Sequence, residues 1–455
     1  MSAIAFRFRE MPTFLASLAR RSAVPVSISA IAFLGYYLSS YLADRQLLEL
    51  VRLAVRPDQD WCAGDVAAPG CWYQHYVYLA DAISHGTLDV ASAGIPDFYQ
   101  DTVTIGGSKY LPFPPGPAVL LLPFVAVWGT NFSQVYFSMA LGAINVALLW
   151  YLLGLLNIST TTKLLLVPFF AFGTAHFYAA TTGTAWFFGH VAAVFFLLLA
   201  LITLFRKAPP IVPAIFLGFA FMSREPTVLA APVFLYWLFK QRHDTVSVGN
   251  LLDRKTIYRL GSFCAGLLPF VIFWFAYNIA RFDAPLDTGY DTVANGYIGS
   301  GIPYSFYLSE SPDAPRFNLF DIRNIPLHLY TMFLMPPQFV PNWDVFRPSP
   351  YGMSVLLTSP AFIYAGLVKR KSWLKPSLWI AIAFVSVPLL LHYSQGWVQF
   401  GYRFLLDFTP FLLILTAFGF DDNTSPGSRR WQIALVAVAV LAGFWGRYWA
   451  NKLGW

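Results

Sequence analysis

Near the C-terminal end, the stretch GWVQFGYRFLLDF (396–408) sets Arg403 and Asp407 four residues apart, just ahead of the apolar run 412–415. A guanidinium grips a phosphate or a carboxylate through paired hydrogen bonds. A carboxylate can orient that guanidinium or take a proton. On a helix, residues i and i+4 are neighbours, so the two can also simply neutralise one another. The segment SREPT (223–227) offers a similar combination, Arg224 and Glu225 ahead of Pro226, open to the same two readings. The segment FYQDTVTIGGSKYLPFPP (98–115) carries Asp101 and Lys109. The other titratable candidates are His75, Asp81, His190, and Asp60 and Asp65 around Cys62. What these groups can do depends on which of them the fold brings to one place.

The composition sets that fold. Of 455 residues, 57% are hydrophobic and only 12% charged, about half the charged share of soluble domains. The mean hydropathy is +0.55. This predicts an all-α polytopic membrane protein. Net charge is +7, but the bases cluster in short loops, as orientation signals do, so no nucleic-acid partner is implied. Arg7, Arg9, Arg20 and Arg21 precede a long apolar stretch with Tyr36, Tyr37 and Tyr41 in place of a small-residue cleavage site. That stretch reads as an uncleaved first span.

Apolar runs of spanning length lie near 24–43, 132–156, 164–181, 186–205, 209–223, 227–240, 260–280, 351–368, 374–393, 404–420 and 432–450. The run 114–128 is short and opens with PPGP. With a cytoplasmic N-terminus, the basic loops 206–207, 240–259, 369–371 and 429–430 all fall inside only if 114–128 does not cross. The expectation is about eleven transmembrane helices plus a re-entrant or juxtamembrane segment, which needs protein or a watery cavity over its irregular backbone. Two large extracytoplasmic loops result, 44–113 and 282–350. The first holds eight aspartates and Glu49 against Arg45, Arg52, Arg56 and Lys109. The catalytic module is expected over 1–420, with a cytoplasmic loop and a final transmembrane helix in 421–455. On this topology most of the polar residues able to do chemistry converge on the outer face.

Cys62 and Cys71 fit a small disulfide loop in an oxidising compartment, whereas Cys264 reads as packing in an apolar run. Two cysteines make a weak metal site. No nucleotide-binding loop or His-x-x-x-His spacing occurs. Some outer acids could hold a divalent cation, but their spacing does not demand one; no metal and no cofactor is expected.

Five stretches in order carry a resemblance: YQHYVYLADAISHGTLDV, then GGSKYLPFPPGPAVLLLPFVAVWG, SREPTVLAAPVFLYW, YNIARFDAPLDTGY and QFGYRFLLDFTPFLL. Together, over about residues 24–420, they resemble the GT-C superfamily of integral-membrane glycosyltransferases. The nearest members are the bacterial relatives of protein mannosyltransferases and of lipid A or oligosaccharide glycosyltransferases. The resemblance implies a bacterial inner-membrane enzyme with an extracytoplasmic site and a polyprenyl-phosphate sugar donor. It implies inverting transfer to a lipid, polysaccharide or protein acceptor, with an acid of the first outer loop as base. Many relatives carry an Asp-Glu pair before the first loop helix, where this chain reads Cys71-Trp72-Tyr73-Gln74-His75. Asp101, shortly before the re-entrant segment where a substrate cavity could open, is the first candidate base; Asp65, ahead of the loop helix where relatives place their acid, comes next, and then Asp60. Arg403, oriented by Asp407, and Arg224 with Glu225 are expected to hold donor phosphate or sugar, with Lys109 as another phosphate contact. His75 and His190 are expected at the cavity, each with a plain structural alternative, and Asp81 is expected to face water or cap a neighbour. Gly396 and Gly401 would let a ligand approach. A transporter or flippase, and a non-catalytic envelope-assembly protein that kept the fold, are the alternative readings. A convincing internal repeat, which transporters often show, is missing.

Overall fold

The computed structural model describes residues 23–40, 73–97, 99–293, 319–341, 345–396 and 398–453. The Cys62–Cys71 loop with Asp60 and Asp65, and residues 294–318 and 342–344 of the expected second outer loop, lie outside the described residues.

Among the described residues, six helices are long and apolar enough to cross a membrane: α1 (Ala23–Ser40), α4 (Gln134–Leu155), α7 (Ala185–Phe205), α11 (Arg254–Phe282), α14 (Leu374–Leu391) and α16 (Pro426–Leu453). A bent pair, α5 (Thr160–Phe172) and α6 (Ala175–Thr182), makes a seventh candidate broken by 46°. The chain is thus an integral membrane protein. The bend falls where α5 stops at Gly173 and Thr174 caps α6, its hydroxyl accepting from the His176 N–H at 3.2 Å. Ser133 and Ser159 cap α4 and α5 in the same way, satisfying a backbone donor that a helix start leaves open.

The other apolar runs build shorter pieces. The expected spans 209–223 and 227–240 become α8 (Ile211–Phe221), a 3₁₀ turn (Glu225–Ala230) and α9 (Ala231–Lys240). The run 351–368 becomes the four-residue α13 (Val355–Thr358) and a 3₁₀ segment (Pro360–Leu367). The run 404–420 is a 3₁₀ turn (Arg403–Asp407) followed by α15 (Thr409–Asp422), buried from Thr409 through Phe420. Prolines 226 and 360 open two of these turns, where a residue without an N–H costs least.

Among the described residues two hairpins, β1–β2 (Val103–Ile105 with Ser108–Tyr110) and β3–β4 (Gln338–Val340 with Val345–Arg347), accompany three short helices. These are α2 (His75–Ser84), α10 (Val248–Leu252) between the basic residues of 240–259, and α12 (Ile325–Phe333). Cys264 is exposed on α11, not packed inside as its apolar run suggested.

Helix α7 is the axis of the bundle, with most of its side chains buried between α4 and α8. Close packing relies on small residues. A Cβ at Gly142 would sit 2.6 Å from that of Ala180, and one at Gly189 3.2 Å from the Tyr76 hydroxyl. A buried polar knot ties α1 to this core. His176 meets the Tyr36 hydroxyl at 3.3 Å and Asn145 at 3.3 Å, and Asn145 donates to the Val191 carbonyl at 3.0 Å.

The PPGP run starts α3 (Gly116–Trp128), which is short and contains Pro123. Its first N–H, from Gly116, donates to the Met222 carbonyl at 2.6 Å, so the start of α3 docks on the break after α8. A Cβ at Gly116 would lie 2.5 Å from that carbonyl oxygen. Gly116→Ala should therefore destabilise the protein by about 1–3 kcal/mol through overpacking, read as a lower melting temperature in detergent. Gly154→Ala, with open space around its Cβ, should leave the melting temperature unchanged or raise it slightly.

Candidate functional site

The site forms where helices break. The 3₁₀ turn Arg403–Asp407, the turn after α8 and the start of α7 meet, and their charged side chains interlock. Asp407 is fully buried, and its partners are Arg224 and His190. The Arg224 Nε lies 3.2 and 3.1 Å from the two carboxylate oxygens, with a terminal nitrogen 3.0 Å from Oδ2. His190 donates from Nδ1 to Oδ1 at 2.6 Å. The expectation that Asp407 orients Arg403 is corrected here: it orients Arg224. A 3₁₀ turn advances three residues per turn, so i and i+4 no longer share a face as they would on an α-helix. The Arg224–Glu225 pairing is corrected too. Glu225 accepts instead from the Trp274 indole at 2.7 Å, on α11.

Arg403 also lies against Phe404. Its guanidinium carbon is 5.5 Å from the Phe404 ring centre, and that of Arg224 is 5.4 Å from the same ring. Two cations thus share one aromatic ring, close enough to feel each other's charge. Gly396 has φ +96°, and a Cβ there would lie 3.0 Å from the Arg403 guanidinium carbon. The glycine therefore admits Arg403 itself, in place of the ligand expected from the sequence. Gln399 braces the turn, donating to the Tyr351 and Gln395 carbonyls at 3.0 and 2.8 Å.

The first outer loop supplies the carboxylate. Asp101, partly exposed, has φ +57°. That is an uncommon conformation that aspartate tolerates better than most residues. The indole N–H of Trp186, at the start of α7, donates to its Oδ2 at 2.5 Å. Asp101 lies within electrostatic reach of Arg403 and of Tyr290. Tyr290 also feels Arg224, and burial raises its pKa, which keeps the phenol neutral. His75 opens α2, fully buried, and donates from Nε2 to the Gln100 carbonyl at 2.8 Å, one residue before Asp101. Burial pushes its pKa down and keeps it neutral. It therefore sits inside the protein and props the Asp101 loop.

Of the sequence candidates, Asp101, His75, His190, Arg224, Glu225, Arg403 and Asp407 gather in this region. Lys109 is committed elsewhere, donating from the β hairpin to the wholly exposed Asp97 at 2.9 Å. Asp81 faces His85 at 3.5 Å. The residues that sequence reasoning did not single out are Trp186, Tyr73, Phe404, His392 and His328. His392 meets Phe404 edge to face and feels both arginines. His328 on α12 donates to the His392 carbonyl at 2.7 Å and meets the Tyr402 hydroxyl at 2.8 Å. The one sequence signal for His392 was its place at the end of an apolar run, in HYSQGW.

No family model and no curated protein matches the chain. Among solved structures, the chain is similar to the Archaeoglobus fulgidus oligosaccharyltransferase, described as tethered to an acceptor peptide containing the NVT sequon through a disulfide bond. The TM-score is 0.42 and the identity 14%, over 94% of this chain and 55% of that one. The chain thus spans about half the length of that protein, and a likeness of this size carries no functional weight.

Removing one partner of a buried ion pair leaves an uncompensated charge, at a cost of about 3–5 kcal/mol. Asp407→Ala should lower thermal stability by that order, and Arg224→Ala by a comparable amount. Lys109→Ala, whose amine binds an exposed partner, should change the melting temperature by no more than about 1 kcal/mol of stability.

Proposed function

We propose that this chain is a membrane glycosyltransferase of the GT-C type. It moves a sugar from a polyprenyl-phosphate donor to an envelope lipid, polysaccharide or protein acceptor on the extracytoplasmic face, with inversion. It sits in a bacterial inner membrane with its N-terminus cytoplasmic and about eleven crossings. The observation that carries the reading is the pair of guanidiniums on Phe404 with Asp101 within electrostatic reach of Arg403.

The charges suit such a step. Asp407 holds the Arg224 guanidinium in place, and Arg403 adds a second at the same ring, a pair suited to grip a phosphate. As transfer proceeds, Asp101 takes the acceptor hydroxyl proton, and the acceptor oxygen bonds to the anomeric carbon. The carbon–oxygen bond to phosphate breaks, and its electron pair stays on the phosphate oxygen. Arg224 and Arg403 meet the charge that grows there, where fixed cations stabilise a transition state most. Arg224 is held rigid by Asp407, and Asp407 by His190.

An apolar cleft between α9 and α14, lined by Pro232, Val233, Tyr236, Ile380 and Phe384, supports the lipid half of the donor. Helix α9 follows the turn that begins after Arg224, and α14 ends at His392. The reaction uses no cofactor, so the rate should survive dialysis against EDTA; a loss would place a divalent cation among the outer acids.

The test incubates the purified protein with radiolabelled polyprenyl-phosphate sugars and a membrane lipid extract, and reads sugar leaving the donor. Asp101→Asn, which keeps shape and backbone tolerance, should cut the rate by about 10²–10⁴-fold. Arg403→Ala should cut it by about 10²–10³-fold, and Arg403→Lys by less, since it keeps the charge but loses the paired geometry. An Asp101→Asn enzyme at full rate, with Asp65→Asn inactive, would move the base to Asp65. Neither discharge nor binding of any donor by the wild type would sink the transferase reading in favour of a transporter or an assembly scaffold.

A further inference from the structure

Beside Asp101 lies a group of rings that the transfer step leaves without a role. Tyr73 and Trp186 meet edge to face, with centroids 4.8 Å apart and planes at 60°. Both are partly exposed. Tyr99 packs behind Tyr73 at 5.2 Å, and His75 lies 5.6 Å from Trp186. The rings are held from two directions. The Tyr73 carbonyl accepts from the Ala185 N–H at 3.0 Å, which fastens the loop to the start of α7. The Trp186 N–H is fixed on Asp101. Tyr73 also has a positive φ, +61°, so two non-glycine residues in this conformation stand at one spot. Each costs energy that the surroundings must repay, and such residues cluster at functional sites.

We propose that the acceptor is a saccharide, and that Tyr73 and Trp186 form the platform on which its ring rests with a hydroxyl at Asp101. The inference rests on the transferase reading and supplies the acceptor class. An aromatic face is electron-rich and attracts positively polarised edges, which the C–H face of a pyranose provides. The rim of the same ring is made of hydroxyls, and a carboxylate accepts from them. Ligand sites typically combine apolar and aromatic walls with a few placed polar groups, and this corner has that make-up. An anionic lipid headgroup would meet the Asp101 charge, and an acyl chain would offer it nothing to accept. A saccharide hydroxyl at Asp101 gives up its proton there as its oxygen bonds to the anomeric carbon and the phosphate departs with the electron pair.

The experiment uses the full chain in detergent, with methyl hexopyranosides and maltotriose as probes. Saturation-transfer NMR reads binding, and donor discharge is followed separately. Wild type should bind at least one probe through its ring C–H protons. Tyr73→Asn removes the ring while tolerating the left-handed backbone, and should weaken binding or raise the acceptor KM at least ten-fold. Tyr73→Phe should bind as wild type does. Trp186→Phe should keep binding but lower kcat, because it retains a ring and frees Asp101, whereas Trp186→Leu should lose both. Failure of every saccharide probe to bind, or equal binding by Tyr73→Asn, overturns the platform. Discharge onto a lipid or peptide at the wild-type rate by Tyr73→Asn overturns it while leaving the transferase reading intact. Ring-dependent saccharide binding with neither discharge nor binding of any donor leaves the platform standing and sinks the transferase reading.

Discussion

The buried contact between Asp407 and Arg224 is the constraint on which the rest of the site depends. A carboxylate with no exposure to solvent is tolerable only beside a cation and further donors, and Arg224 and His190 supply them from two other elements. Those three residues join the turn after α8, the core helix α7 and the turn before α15. With Arg224 anchored against Phe404, Arg403, which lies against the same ring, has a fixed cationic neighbour. The contact therefore sets both the local charge balance and the relative position of three chain segments.

Each functional side chain comes from a place where regular helix stops. In a membrane, irregular backbone survives only under protein or around a polar cavity. The breaks are accordingly paired: the start of α3 covers the break after α8 through the Gly116 N–H, and the His75 imidazole covers the Asp101 loop through the Gln100 carbonyl. Helix α7 supplies the fixed reference, presenting Trp186 at its start and His190 just over one turn later.

Composition and loop charge made the membrane class legible in the sequence, and charged or kinked motifs such as SREPT and GYRFLLD pointed to the right neighbourhood. They did not reveal which charges pair. Arg403 and Asp407 looked like partners because i, i+4 adjacency is an α-helical rule, and the local backbone is 3₁₀. Arg224 and Asp407 are 183 residues apart, and no local pattern encodes a contact of that range. Lys109 resembled a phosphate ligand because a sequence shows a charge without the aspartate that satisfies it. Trp186 and Tyr73 were invisible for another reason: in a chain that is 18% aromatic, a ring that binds looks like a ring that packs. Hydropathy likewise counted runs such as 351–368 as single spans, because it registers apolar length and is blind to a break into short turns.

The two ends of the described chain close on each other. Asn451, near the end of α16, donates to the Ser39 and Ser40 carbonyls at the end of α1, across 412 and 411 residues. During synthesis at roughly 5–20 residues per second, α1 waits about 20–80 s for that partner. Over this interval its terminal carbonyls need water, lipid headgroups or a chaperone in place of Asn451. Helix α1 is thus latched at its end only once α16 has been made, and a ribosome stalled before α16 would leave it held through Tyr36 and His176 with its last carbonyls still unsecured.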